Sequence, residues 1–176
     1  MSDIHARLDA LESREQIRQL VARHALALDS RDLETLVDLY VEDVQTSDGR
    51  IGRDALATSF DVSLRRYEVT FHLIGNHLID LLDADHATGL LYCRPEYQVG
   101  DLWIVMPLQY RDRYERHRGR WYFRSRSVHA FYAADIRENP AAVPGRFHFP
   151  GAPVVPAAEL PELWPSWRAF WASELS

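Results

Sequence analysis

Val69-Thr70-Phe71-His72-Leu73-Ile74 is the stretch that decides the fold, because its β-branched and aromatic residues open the part of the chain where helical patterning stops. From Val69 onward, β-rich runs extend over about 69 to 82, 86 to 99, 102 to 116 and 120 to 132. Turn signals separate them at Asp83-Ala84-Asp85, Gly100-Asp101 and Arg118-Gly119. Long runs joined by short turns predict a meander of antiparallel strands.

Upstream of that stretch the pattern is helical. Ser13-Arg14-Glu15-Gln16 has the form of a capping box, and Ile17, Leu20, Val21, Ala25 and Leu28 follow at helical spacing. This predicts a helix over about 13 to 29, with Ile4, Leu8 and Leu11 adding a preceding turn or two. Asp32 to Tyr40 reads as a second short helix packed against the first, and Val41 to Asp48 as a short strand ending in Ser47-Asp48-Gly49-Arg50. Arg53 to Arg66 reads as a third helix with Leu56, Phe60 and Leu64 inward.

Three helices followed by a meander predict an α+β fold, in which a curved, cone-shaped antiparallel sheet wraps around the N-terminal helices and encloses a pocket. Residues 1–135 form this domain in the sequence reading. Residues 136–176 form an extension rich in proline and aromatics, with Phe147-His148-Phe149-Pro150-Gly151 and a short helix around Trp164 to Leu175. That tail is too apolar to stay free, so it is expected to dock on the domain or on a neighbouring subunit.

Composition narrows the chemistry. The 176 residues are 47% hydrophobic, enough for one well-buried core. With 20 basic and 26 acidic residues the net charge is −6, which argues against a nucleic-acid partner held by phosphate contacts and for a small-molecule substrate. Every basic residue is arginine, so Schiff-base chemistry, lysine-anchored pyridoxal phosphate and the phosphate-binding loop are excluded. Cys93 stands alone and rules out an intramolecular disulfide and a cysteine-rich zinc site. With no secretory leader and no apolar run of about 20 residues, a cytoplasmic protein without membrane association is expected.

The helix carries the first chemical residues. At about 100° per residue, His24 falls inside the stripe drawn by Ile17, Leu20, Val21 and Leu28, and Asp29 falls on its edge. There a carboxylate meets the unfavourable negative end of the helix dipole, and a histidine partner would compensate it. His72, inside the aromatic strand, is that candidate partner. Alternatives stay open: Asp29 as a cap of the next helix, His24 as a core histidine, His72 as a strand histidine with one satisfied nitrogen. Taken together, Asp29 and His72 would make a carboxylate-oriented general base able to remove a proton from carbon or from a hydroxyl.

Other motifs add little. His72 and His77 are five apart and project to opposite strand faces unless a bulge intervenes, for which Gly75 is a candidate; no metal site is predicted. His-Glu-x-x-His, Gly-x-Ser-x-Gly and Gly-x-Gly-x-x-Gly are all missing from the sequence, so no cofactor is expected. Arg111, Arg113, Arg116, Arg118, Arg120, Arg124 and Arg126, interleaved with Asp112 and Glu115, read as a solvated strand face rather than an RNA surface. Tyr40, Phe71, Tyr92, Tyr97, Trp103 and Phe131 are candidates to line a hydrophobic ligand pocket, with plain core packing as the alternative.

Several segments resemble one family. Arg14 to Leu20, Ala27-Leu28-Asp29-Ser30-Arg31-Asp32, Phe71 to Asn76, Tyr110 to Arg116 and Gly119-Arg120-Trp121 look like the landmarks of the SnoaL-like family in the nuclear transport factor 2-like superfamily. That group includes scytalone dehydratase, bile-acid 7α-dehydratase, a hexachlorocyclohexane dehydrochlorinase and polyketide cyclases. The resemblance covers about residues 8 to 135, and more weakly Gly145 to Pro150. It implies that Asp29 and His72 are the acidic partner and catalytic histidine, that His24 occupies a pocket position commonly held by Tyr or Lys, and that Arg126 stands beside a leaving group. It further implies a homo-oligomer, dimer or trimer, assembled through the outer sheet face. Leu91 to Tyr97 departs from the pattern, lacking the second histidine of many relatives, with Glu96 or Tyr97 nearby instead.

The expected function is a cofactor-independent lyase, dehydratase- or dehydrohalogenase-like, acting on a hydrophobic small molecule. The same base would serve an isomerase or cyclase of a steroid- or polyketide-like substrate, and the fold would also suit a non-catalytic ligand-binding module.

Overall fold

The computed structural model describes residues 2–150 and 157–172. Helices α1 (Ser2–Ser30), α2 (Leu33–Asp38) and α3 (Arg53–Leu64) precede strands β1 (Thr70–Leu81), β2 (His86–Val99), β3 (Leu102–Val105), β4 (Leu108–His117), β5 (Arg120–Ala130) and β6 (Ala134–Asp135). A last helix, α4, spans Pro165–Ala172, and Leu175, where the sequence placed its end, lies outside the described residues. This is the α+β arrangement expected, with the N-terminal helices packed against a curved six-stranded antiparallel sheet.

Helix α1 begins well before its capping box. No glycine or proline interrupts Ser2 to Ser13, and a nucleated helix propagates through residues of good propensity. Ser13 is therefore a buried mid-helix residue, while Ile4, Leu8 and Leu11 stay exposed. The C-terminus closes in a Schellman turn: Arg31 adopts φ 62°, its N–H donates to the Leu28 carbonyl at 3.2 Å, and the Asp32 N–H reaches the Ala27 carbonyl at 2.9 Å. Asp32 then caps α2 by accepting from the Thr35 N–H at 3.0 Å.

The strand expected over Val41 to Asp48 is not formed. Val44 N–H instead closes a turn onto the Val41 carbonyl, and only isolated bridges form, Tyr40 with Phe123 and Gln45 with Ile51. The acidic pair Glu42-Asp43 lies exposed between Val41 and Val44, so this segment has no continuous apolar face to bury as a strand.

The meander has two corrections of its own. The run over 102 to 116 is broken at Met106-Pro107, so β3 pairs with the end of β2 and β4 with its beginning. Pro95 lies opposite the break, and its carbonyl accepts the Met106 N–H at 3.0 Å. Each proline lacks a ladder donor, which is tolerated where pairing is already interrupted. In β1 the register shifts between Ile74 and His77, so a bulge at Gly75-Asn76 puts His77, Ile79 and Leu81 on the same inner face as Thr70, His72 and Ile74.

The concave face and α1 enclose one core that includes Ile17, Val21, Tyr40, Leu91, Ile104, Tyr114 and Phe123. Beyond Asp135, several of the described residues contact it. The His148 N–H donates to the Ala133 carbonyl at 2.7 Å, Leu160 is fully buried, and Trp164 packs on Phe131. Among the described residues no helix is long and apolar enough to cross a membrane.

Candidate active site

Strand β1 lies at one edge of the sheet, and α1 ends beside it. The His72 N–H, turned away from β2, needs an acceptor, and the Asp29 Oδ2 atom supplies it at 2.9 Å. Asp29 Oδ1 receives the Thr70 hydroxyl at 2.9 Å and pairs with His72 Nδ1 at 2.7 Å. Asp32, not Asp29, caps the following helix, which leaves the Asp29 carboxylate available to the strand. The Arg31 guanidinium completes the joint, donating to Thr70 Oγ1 at 2.6 Å, to the Leu28 carbonyl at 2.8 Å and to the Tyr67 carbonyl at 3.1 Å.

Burial raises the Asp29 carboxyl pKa, but the hydrogen bonds and charge of His72, with help from Thr70, outweigh it and leave the value lowered. An ionised Asp29 accepts from Nδ1–H, so the second ring nitrogen, Nε2, is the one left with a lone pair. The His72 side chain is only 5% exposed and points into the interior, edge-on to Tyr97 at 6.0 Å.

A second polar chain crosses the same interior. Arg126 from β5 donates through Nε to Asp112 Oδ1 at 2.8 Å and through Nη2 to Asp112 Oδ2 at 2.7 Å. Its Nη1 donates to His24 Nδ1 at 3.2 Å. Because that nitrogen accepts, His24 carries its proton on Nε2 and donates it to the Tyr40 hydroxyl at 2.8 Å. Burial, then the charge of Arg126 and then that of His72, hold the His24 imidazole well below its usual pKa, so it is neutral. Tyr114 donates to Asp112 Oδ2 at 2.7 Å and accepts from His77 Nε2–H at 3.3 Å. Burial, only partly offset by the charge of Asp112, lowers the His77 pKa to about 4.

Of the residues singled out by sequence, Asp29, His72, His24, Arg126, Tyr40 and Tyr97 enter the interior. The strand register divides the aromatic candidates between the two sheet faces. Phe71 pairs with Glu96 and Trp103 with Gln98 on the outer face, where Trp103 Nε1 donates to Glu96 at 2.6 Å. Tyr92 and Phe131 stack on each other on that same side, opposite His72. Asp112 is a correction: it is not part of a solvated face, because Tyr110, Asp112 and Tyr114 alternate inward while Arg111 and Arg113 point outward. That alternation was present in the sequence and could have located it. For Thr70 and Arg31 no comparable signal exists.

Two surface clefts, of about 460 and 780 Å³, are lined by residues around Glu138 to His148 and by Asp38, Arg53, Arg120, Tyr122 and their neighbours. Neither includes Asp29 or His72. Tyr97, which lies edge-on to His72, is itself packed by Phe149 from the C-terminal extension at 5.0 Å, and Phe149 also meets Tyr67 at 5.8 Å. No cluster of three or more His, Cys, Asp or Glu able to hold a metal occurs among the described residues.

The N-terminal helices packed against a curved antiparallel sheet set the frame in which Asp29 and His72 meet. The SnoaL-like domain matches residues 9–127, and the chain belongs to that family. No curated protein matches it. Among solved structures, a candidate scytalone dehydratase from Novosphingobium aromaticivorans DSM 12444 superposes with a TM-score of 0.66 at 21% identity, covering 79% of this chain and 94% of the other. The hexachlorocyclohexane dehydrochlorinase LinA-type3 from Novosphingobium barchaimii LL02 gives 0.68 at 22% identity, over 74% and 94% of the two chains. The structure of LinA gives 0.69 at 24% identity, over 78% and 95%.

Proposed function

We propose that this protein is a cofactor-independent lyase that eliminates a leaving group from a hydrophobic small molecule, with His72 as general base and Asp29 as its orienting partner. The observation that carries the reading is the 2.7 Å bond between Asp29 Oδ1 and His72 Nδ1 on a ring turned inward. Asp29 fixes the tautomer, so Nε2 takes a proton from a carbon next to a carbonyl, and the resulting imidazolium is stabilised by the carboxylate beside it. An apolar surround strengthens that attraction. The dehydratase and dehydrochlorinase among the structural neighbours support a reaction of this type.

Substrate reaches Nε2 when the Phe149 segment moves aside, and the ring faces of Tyr97 and Tyr67 then offer apolar contact. The protein works as a homo-oligomer in this reading, with the outer sheet face, where Phe71 and Leu73 are half-exposed, as the contact between subunits. The test is turnover of a panel of cyclic β-hydroxy and β-halo ketones by wild-type and His72→Ala protein. Loss of about a hundredfold or more in kcat/KM, with an unchanged unfolding midpoint, is expected; equal turnover by the variant removes the base from the mechanism.

A further inference from the structure

A carboxylate can orient a histidine only if something outside the histidine orients the carboxylate. Asp29 sits at the end of α1, where the helix dipole presents its negative pole and does nothing to hold an anion. Two of the three donors on its carboxylate come from His72 itself, the backbone N–H on Oδ2 and Nδ1 on Oδ1. The third, the Thr70 hydroxyl on Oδ1 at 2.9 Å, is the one donor from elsewhere among the described residues.

The direction of that hydroxyl is set. Thr70 is buried, and Arg31 Nη1 reaches its Oγ1 at 2.6 Å. A guanidinium only donates, so the threonine oxygen accepts from it, and its single hydrogen is left to point at Asp29. As a β-branched residue Thr70 also has a stiff χ1. Arg31 is held in its turn. Its guanidinium donates to the Leu28 and Tyr67 carbonyls at 2.8 and 3.1 Å, which ties the end of α1 to the chain entering β1. Its backbone, at φ 62°, lies in the left-handed region where glycine is the unstrained residue. Position 31 therefore carries a side chain against its backbone preference, and the cation it places at the helix end opposes the negative pole of the dipole.

We infer that Thr70 and Arg31 are positioning residues of the base, joined in one directed chain: Arg31 donates to Thr70, Thr70 donates to Asp29, and Asp29 accepts from His72. The inference rests on the proposed role of His72 and extends the site to the residues that hold its carboxylate still. Alternation along β1 puts Thr70 and His72 on the same inner face, so one carboxylate spans both. In this role neither Thr70 nor Arg31 needs contact with substrate. Without the hydroxyl, the carboxylate is bonded only to the residue it has to orient, and the two can turn together. Nε2 then leaves the line of the C–H bond, and the loss falls on kcat rather than on KM.

Three variants test it. Thr70→Val keeps the shape and removes the hydroxyl, Thr70→Ser keeps the hydroxyl, and Arg31→Gly removes the guanidinium while suiting the left-handed backbone. Two readouts are followed beside urea unfolding: the kinetics of deuterium entry into 1-tetralone, and solvent exchange of the His72 Nδ1–H proton by NMR. Thr70→Val is expected to lower kcat about tenfold, with KM within about twofold, and to speed Nδ1–H exchange about tenfold. Thr70→Ser is expected to stay within about threefold of wild type in both. Arg31→Gly should move both in the same direction by less, and adding it to Thr70→Val should change nothing further, because the chain is already cut. Wild-type Nδ1–H exchange in Thr70→Val, a Thr70→Ser variant as impaired as Thr70→Val, or effects of the two sites that multiply overturns the inference. If Thr70→Val fails to fold, Arg31→Gly decides: faster Nδ1–H exchange supports the chain and an unchanged rate overturns it. The proton readout needs no turnover, so an inactive wild type with the expected exchange pattern removes the base and leaves the chain standing. An active wild type that depends on His72 but is indifferent to Thr70→Val does the reverse.

Discussion

Asp29 and Asp112 are two carboxylates within one interior, and each is tied to a nitrogen partner. Asp29 remains about one-quarter exposed and binds a histidine whose second nitrogen has no hydrogen-bond partner among the described residues. Asp112 is fully enclosed and binds an arginine that has no lone pair to offer and little freedom left. In the proposed reading, the difference separates a pair that exchanges a proton from one that holds a shape. Breaking the first should affect chemistry; breaking the second should affect the fold, because an unpaired buried charge is costly.

The sharpest way to break this comparison is a paired experiment. His72→Ala is expected to reduce turnover by about 10²–10⁴ while leaving urea unfolding within about 1 kcal/mol of wild type. Asp112→Ala strands Arg126 without its counter-ion and is expected to destabilise by about 3–5 kcal/mol, read from the same urea curves. If the two variants exchanged these phenotypes, the division of labour would be reversed. Gly89 sharpens the structural side, since a Cβ there would lie 2.7 Å from the Tyr114 ring and hydroxyl and 2.9 Å from His77 Nε2. Gly89→Ala should therefore cost about 1–3 kcal/mol by overpacking.

Acid should act on the same buried histidines. His24 and His77 both have folded-state pKa values below the ordinary imidazole range, burial being the first cause of each. The unfolded chain therefore binds more protons, and stability falls as pH drops from about 6.5 toward about 4, where His77 charges in the folded state. Above that window these two groups contribute no slope. A pH series of unfolding midpoints that stays flat between those limits would contradict their burial as neutral rings. The smallest effect is expected at Phe149, which packs on the Tyr97 ring beside His72: Phe149→Ala should increase the rate of His72 modification by diethyl pyrocarbonate severalfold, with little change in stability.

Much of the fold was legible because it depends on periodicity. The β-rich runs, apart from the break at Met106-Pro107, the turns between them and the stripe on α1 each follow from spacing alone, and His24 lies on that stripe. Asp29 and His72 were legible as chemistry, but their meeting depends on an unpaired edge N–H and on Asp32 taking the cap, both tertiary facts. The aromatic candidates could not be sorted by face for a simple reason. A strand with apolar residues on both faces gives no sign of which face is inner, so Phe71 and Tyr97 look alike until the register separates them. The capping box at Ser13 misled because a cap signal inside continuous helix-forming sequence has nothing to stop.

The central claim is that His72, set by Asp29, removes a proton from carbon. It is tested most directly by incubating the protein with cyclic ketones such as 1-tetralone in D₂O and following deuterium entry next to the carbonyl by NMR. This reports on the base whether the later step is elimination, isomerisation or cyclisation. Wild type is expected to accelerate exchange, Asp29→Asn to do so weakly, and His72→Ala to return the rate to that of buffer. Exchange that is no faster with wild type than in buffer, or equally fast with His72→Ala, would contradict it.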